Sequence, residues 1–168
     1  DRGSYLRWVE VANRDFESRL RWCVAGKYED ANHKPVIAIP GGLEKTVKSG
    51  ETVTLNADIT EPDSLDIDGI WAKYSALYEQ LGFNKESFVE IAPQRYPKYN
   101  AYWWQYKEAG TYNGYIDIVA VDSGKSTFVA PKVDKPETLH LILEVTDTGI
   151  PALTTFARVI VTIFPTDK

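Results

Sequence analysis

The chain closes on two alternating stretches, Thr138 to Thr146 and Phe156 to Phe164, and these constrain its fold more than any other feature. Leu139, Leu141, Leu143 and Val145 share one face of the first, and Ala157, Val159, Val161 and Ile163 share one face of the second. Side chains alternate across a strand, so this period-two pattern writes an antiparallel sheet with one buried face. Asp147-Thr-Gly-Ile-Pro151 between them is turn chemistry and predicts a hairpin connection. Further strands are legible upstream. They are Pro35 to Ile39, Val53 to Ala57 after a Lys48-Ser-Gly-Glu51 turn, Ala101 to Tyr106, Tyr115 to Val121 and Ser126 to Ala130. Seven short strands separated by turn residues predict a β-sandwich.

Two stretches break the β pattern. Tyr5, Trp8, Val9, Ala12, Phe16, Leu20 and Cys23 recur at three- and four-residue steps, which predicts an amphipathic helix over 4–23. Ser4 is its expected N-cap and Gly26 its stop, with Glu10–Arg14 and Glu17–Arg21 as i,i+4 pairs. A stripe carrying three large aromatic rings needs a partner surface, in this domain or in another. Between Asp58 and Asn100 the alternation is lost, and Ile70, Trp71, Tyr74, Leu77, Tyr78 and Leu81 show helical spacing up to Gly82. Ile91 to Asn100, with Pro93 and Pro97, reads as an irregular aromatic-rich loop. Residues 60–100 or so are therefore an insertion between two sandwich strands. The chain divides into 1–26, a helix with its linker, and 27–168, the sandwich with its insertion.

Composition excludes several classes. With 168 residues, 43% hydrophobic and 12% aromatic, the chain has the makings of one sizeable folded domain. A net charge of −5 without a basic cluster argues against nucleic acid. No run approaches the roughly 18 apolar residues of a membrane span. The single cysteine, Cys23, cannot form an intramolecular disulfide. A chain without methionine that opens on Asp1 reads as a segment of a longer precursor, so its lack of a signal peptide says nothing of compartment. His33 and His140 are the only histidines, and no nucleophile elbow, paired-cysteine, paired-histidine or phosphate-loop motif occurs. The fragment is expected to be non-catalytic, with no organic cofactor. Glu61, Asp63, Asp66 and Asp68 form an acidic run, and Asp63, Asp66 and Asp68 are candidate Ca²⁺ ligands. The plain alternative is a solvated turn.

The aromatic cluster is the candidate binding feature. Tyr102, Trp103, Trp104, Tyr106 and Tyr112 crowd together after Tyr96 and Tyr99. Sugars lay their C–H faces on exposed rings of this kind. Tyr102, Trp104 and Tyr106 share one strand face, and Trp103 and Gln105 share the other. The more apolar triple is expected inside, with Trp104 as the core tryptophan of the sandwich and Trp103 exposed. Trp103, Gln105, Tyr99, Tyr96 and Tyr112 are then the candidate ligand contacts.

Several blocks occur together in order: Asp15-Phe-Glu-Ser-Arg-Leu-Arg-Trp-Cys-Val24, Ala31-Asn-His-Lys-Pro-Val36 and Trp103-Trp-Gln-Tyr-Lys-Glu-Ala-Gly-Thr-Tyr112. His140-Leu-Ile-Leu-Glu-Val-Thr-Asp147, Gly149-Ile-Pro-Ala-Leu-Thr154 and Arg158-Val-Ile-Val-Thr-Ile163 follow. This resembles the bacterial cellulose-binding protein family that joins a nucleoside-hydrolase-like N-terminal domain to an immunoglobulin-like C-terminal domain. The Trp103-Trp104-Gln105-Tyr106 block is the specific part, and the Asp147–Pro151 turn resembles that of cadherin-like and polycystic-kidney-disease-like (PKD) modules. The resemblance implies a mainly β, immunoglobulin-like (PKD/cadherin-like) antiparallel β-sandwich with an N-terminal α-helix and a partly helical insertion. It makes 1–26 the last helix of the hydrolase-like domain plus linker, and it places the protein in a secreted or periplasmic, carbohydrate-associated setting. The implied partners are a polysaccharide or the chain's own N-terminal domain. The family's short Asp-Pro-Asp-Gly-Asp turn is replaced here by Glu61-Pro-Asp-Ser-Leu-Asp-Ile-Asp-Gly69 and the insertion. Two functions follow as expectations: an accessory module binding polysaccharide or positioning a hydrolase-like domain, or a structural docking module without sugar binding.

Overall fold

The computed structural model describes residues 2–63, 67–95 and 99–166. In order along the chain lie α1 (Arg2–Trp22), β1 (Val36–Ala38), β2 (Glu44–Lys48), β3 (Thr52–Leu55), β4 (Asp58–Thr60), α2 (Ile67–Gln80) and α3 (Lys85–Arg95). They are followed by β5 (Tyr99–Gln105), β6 (Val119–Ala120), β7 (Ser126–Val129), β8 (Glu137–Asp147) and β9 (Thr154–Phe164). Two compact units form. One comprises Lys34–Thr60, Asn100–Thr146 and Thr154–Lys168, and the other Asp1–His33, Glu61–Tyr99 and Asp147–Leu153.

The first unit is the sandwich, and the C-terminal hairpin is its centre. β8 pairs antiparallel with β9, setting Leu139 opposite Val161, Leu141 opposite Val159 and Leu143 opposite Ala157. Their sheet runs β2-β9-β8-β5, a second runs β3-β7-β6, and β1 pairs with β4. Leu139, Leu141, Leu143, Val145, Val159, Val161 and Ile163 from the first sheet are buried, as are Val53, Leu55 and Phe128 from the second. Each such side chain withdrawn from water contributes roughly 1.5–3 kcal/mol. The fold is mainly β and immunoglobulin-like, with the expected N-terminal helix and helical insertion. One pairing departs from the expected all-antiparallel pattern: β2 lies parallel to β9, Lys45 beside Val161 and Val47 beside Ile163. Val47 is the only apolar side chain in Glu44–Lys48, too little for a legible alternation. The expected strand Tyr115 to Val121 shrinks to Val119–Ala120.

The second unit is helical. α1 begins before Ser4, which therefore lies inside the helix, and it ends before Gly26. Glu17 and Arg21 pair at 2.8 Å and Asp15 and Arg19 at 3.0 Å, and Glu10 and Arg14 also pair. α2 ends where predicted, with Gly82 at φ +84, a left-handed turn that glycine adopts without strain. Of the loop expected from Ile91 to Asn100, residues 91–95 are instead the second half of α3 and Tyr99 and Asn100 open β5, while 96–98 lie outside the described residues. A reciprocal cap starts that helix: Ser87 N–H donates to Asn84 Oδ1 (2.9 Å) and Asn84 N–H to Ser87 Oγ (3.1 Å). Phe88 then anchors it against Trp71 and Tyr78 of α2, ring centroids 5.7 and 4.5 Å away.

The linker after α1 is fastened by polar groups. His33 presents its backbone N–H and its Nδ1 (2.8 Å) to the Asp63 carboxylate, and its ring stacks on Tyr28 with centroids 3.6 Å apart. Glu61 accepts from Asp63 N–H, while its Oε2 is buried with no hydrogen-bond partner among the described residues.

Two outcomes test this description. Leu141→Ala should cost about 2–5 kcal/mol in equilibrium urea unfolding, as expected for a cavity in a packed core. Glu61 is pushed up from 4.5 to about 7, chiefly by burial, with Asp147 and Asp63 adding and the Asp63 N–H and His33 opposing. A folded-state value above the unfolded one means its contribution is complete below about pH 4.5 and lost progressively as pH rises to about 7. Glu61→Gln should therefore flatten the fall in melting temperature between pH 5 and 8.

Candidate functional site

The alternation of β5 decides which rings the surface offers. Trp103 is 7% exposed, and its Nε1–H donates to the Gly124 carbonyl at 3.2 Å, in the turn joining β6 to β7. The indole thus reaches from one sheet of the sandwich to the turn of the other. Gln105 also turns away from solvent: its Nε2–H donates to Gly114 O (3.0 Å), and its Oε1 accepts from Ile116 N–H (3.2 Å). Those bonds hold residues 114–116 in place of a strand ladder, which is why β6 is so short. The expectation of an exposed Trp103 and a core Trp104 is corrected: the two faces are exchanged.

The physical reason lies in the polar handles of the rings. A buried indole N–H needs an acceptor. Trp103 finds one inside the sandwich, whereas Trp104 donates to Glu144 Oε2 at 3.2 Å. Burial, together with the neighbouring Glu144 carboxylate, pushes the Tyr102 phenol up to about 12. Tyr102 is 53% exposed, and Trp104 meets Tyr106 edge-on at 5.8 Å. A ledge of Tyr102, Trp104 and Tyr106 around Glu144 therefore forms the outer side of an edge strand.

The remaining candidates are dispersed. Tyr99 is half-buried at the start of β5, and Tyr112 is half-buried with its phenol over Gly114. Tyr96 and Asp66 lie outside the described residues. Asp63 is engaged by His33, and Asp68 Oδ1 meets Lys85 Nζ at 2.7 Å. Among the described residues no three His, Cys, Asp or Glu side chains are grouped to hold an ion. Sequence reasoning missed Tyr115, at 85% the most exposed tyrosine among the described residues, with Lys107 Nζ 3.6 Å from its ring centroid. The overlooked signal for the β5 faces was Glu144, an acceptor on the polar phase of β8.

α1 presents a second surface. Tyr5, Phe16 and Leu20 are 70%, 64% and 55% exposed, and Cys23 is exposed as well. At about 100° per residue these fall on one side of the helix with Val9 and Ala12. The opposite side carries Ser18, fully buried, and Trp22, and both donate to the Asn32 carbonyl, at 3.2 and 2.8 Å. The predicted apolar stripe exists, and it faces away from the chain's own linker. No helix among the described residues is long and apolar enough to cross a membrane.

Residues 97–163 match the family model described as cellulose-binding protein Sde0182, C-terminal domain. This is the family read from the Trp103-Trp104-Gln105-Tyr106 block. A solved structure of a nucleoside hydrolase-related hypothetical protein from Saccharophagus degradans, associated with carbohydrate metabolism, is similar at a TM-score of 0.69 and 23% identity. The similarity covers 94% of this chain and 32% of that one, so this chain spans about a third of its length. The titin M3 domain is similar at a TM-score of 0.36 and 11% identity over 76% of this chain and 96% of its own. The protocadherin gammaB4 extracellular domain reaches 0.38 and 14% over 80% and 17%. No curated protein matches.

Trp103→Ala should lower stability by about 3–5 kcal/mol. Tyr115→Ala should stay within about 0.5 kcal/mol of the parent. Thermal melting of both variants checks the assignment of buried and exposed rings.

Proposed function

We propose that this chain is a non-catalytic accessory module of a larger, exported, carbohydrate-associated protein, and that α1 is the seam through which it positions a hydrolase-like domain of the same polypeptide. The observation that carries this is the outward stripe of α1. Exposed apolar patches of this kind mark interaction surfaces, and an amphipathic helix normally buries its apolar side. Here the buried side is held through Ser18 and Trp22, while Tyr5, Phe16 and Leu20 meet water. A helix arranged this way is built for a surface beyond its own linker. The nucleoside hydrolase-related protein of S. degradans, about three times longer than the matched region, supports the choice of partner. On this reading residues 1–26 are the end of the hydrolase-like domain and its linker, 27–168 are the module, and the setting is secreted or periplasmic.

The ledge on β5 favours a second reading, in which the module itself holds polysaccharide. Tyr102 and Tyr115 offer exposed rings, and the loop carrying Tyr115 is pinned by Gln105 and by Thr111–Thr138 bonds, so little ordering remains for a ligand to impose. Cellulose binding appears in the name of the family whose model matches residues 97–163.

The two readings separate cleanly. Phe16→Glu with Leu20→Glu should leave the melting of the 168-residue chain within about 0.5 kcal/mol. In the longer polypeptide the same pair should split one cooperative transition into two, and an unsplit transition would sink the positioning role. Affinity electrophoresis through hydroxyethyl cellulose and a panel of soluble glycans should show retardation that Tyr102→Ala or Tyr115→Ala removes. No retardation on any glycan ends the sugar-binding reading and leaves positioning standing.

A further inference from the structure

We infer that the helical hairpin α2–α3, inserted between β4 and β5, is a second docking element for the same hydrolase-like domain; this rests on the positioning role proposed for α1. The hairpin has its own small core. Trp71 and Tyr78 lie 6.3 Å apart at 13°, and Phe88, 1% exposed, tilts against both. The Asn84–Ser87 cap starts α3, and a 2.7 Å Asp68–Lys85 pair ties the first turn of α3 to the first turn of α2. Those contacts cover one edge of the apolar face of α2.

The rest of that face is open. Tyr74, Leu77 and Leu81 stand at i, i+3 and i+7, which is one stripe of a helix, and they are 43%, 53% and 62% exposed. Val89 on α3 adds a fourth exposed apolar side chain. Asp68, Lys73 and Glu79 are the only charged residues in Ile67–Gln80. An apolar face that its own unit covers along one edge only is the pattern of a helix that meets a further surface.

Three observations choose the occupant. The stripe is led by branched aliphatic side chains, Leu77 and Leu81, which offer a sugar no flat ring. It belongs to the same compact unit as α1, whose outward stripe is also apolar. The similar S. degradans chain extends over about twice as much additional polypeptide as this chain matches, enough for a domain with room to cover both stripes. One apolar partner surface seating two helices from one unit accounts for both.

Hydrogen exchange followed by mass spectrometry, on the 168-residue chain and on the longer polypeptide that carries it, tests the inference. In the longer polypeptide, amides of both α1 and α2 should exchange at least tenfold more slowly. Leu77→Glu with Leu81→Glu should abolish the gain in α2, retain it in α1, and leave the melting of the 168-residue chain unchanged. Protection gained in α1 alone would overturn the docking role of the hairpin while leaving the proposed function intact. Protection gained in neither helix would remove both. A loss of melting temperature in the 168-residue variant would show the stripe to be internally packed, and concentration-dependent protection of the isolated chain would assign it to a second copy; each overturns the inference.

Discussion

Asn32 joins segments of the chain that are far apart in sequence. Its amide nitrogen donates to Asp147 Oδ2 and to the Pro151 carbonyl, both at 2.9 Å, across 115 and 119 residues. Its own carbonyl accepts from Ser18 and Trp22 of α1. Asp147 is 4% exposed, so its charge has to be satisfied locally, and the N–H groups of Gly149 and Leu153 join Asn32 in doing so. Gly149 is required because the Asn32 amide stands where a Cβ would go. With His33 fastened to Asp63 next door, the helix, the start of the insertion and the connection between β8 and β9 share one polar clasp.

That clasp explains why α1 can face outward. Tertiary contacts usually orient an amphipathic helix by its apolar side, because burial outweighs individual hydrogen bonds. In α1 the polar side is anchored instead, through a serine hydroxyl and an indole N–H. The apolar side is then left for a partner; α2 differs, being held by Trp71 and Tyr78 against Phe88 while Leu77 and Leu81 of the same face meet solvent. Both helices thus keep their internal structure without using the surface assigned to docking.

The ledge on β5 obeys a similar economy. Glu144 takes the hydrogen bond of Trp104 beside Tyr102, so the indole keeps a fixed edge with its polar atom already satisfied. A ring fixed in this way loses little rotamer freedom on binding. Tyr115 stands out from a loop whose backbone Gln105 pins on either side, with Lys107 over its ring.

The strands β8 and β9, the long helix α1 and the end of α2 at Gly82 were legible in the sequence. Strict period two in aliphatic residues, a sustained three-and-four spacing and an obligatory left-handed turn are local signals. Three things were decided only by tertiary structure. β5 carries aromatic residues on both phases, and its inward face was settled by which indole had a carbonyl across the sandwich. β2 has one apolar residue, and its strand character comes from its parallel neighbour β9. The direction in which α1 presents its stripe depends on Asn32, whose amide is fixed by partners more than a hundred residues away. Periodicity names the faces of an element, but the hydrogen bonds and packing that select one face come from residues that only the folded chain brings together.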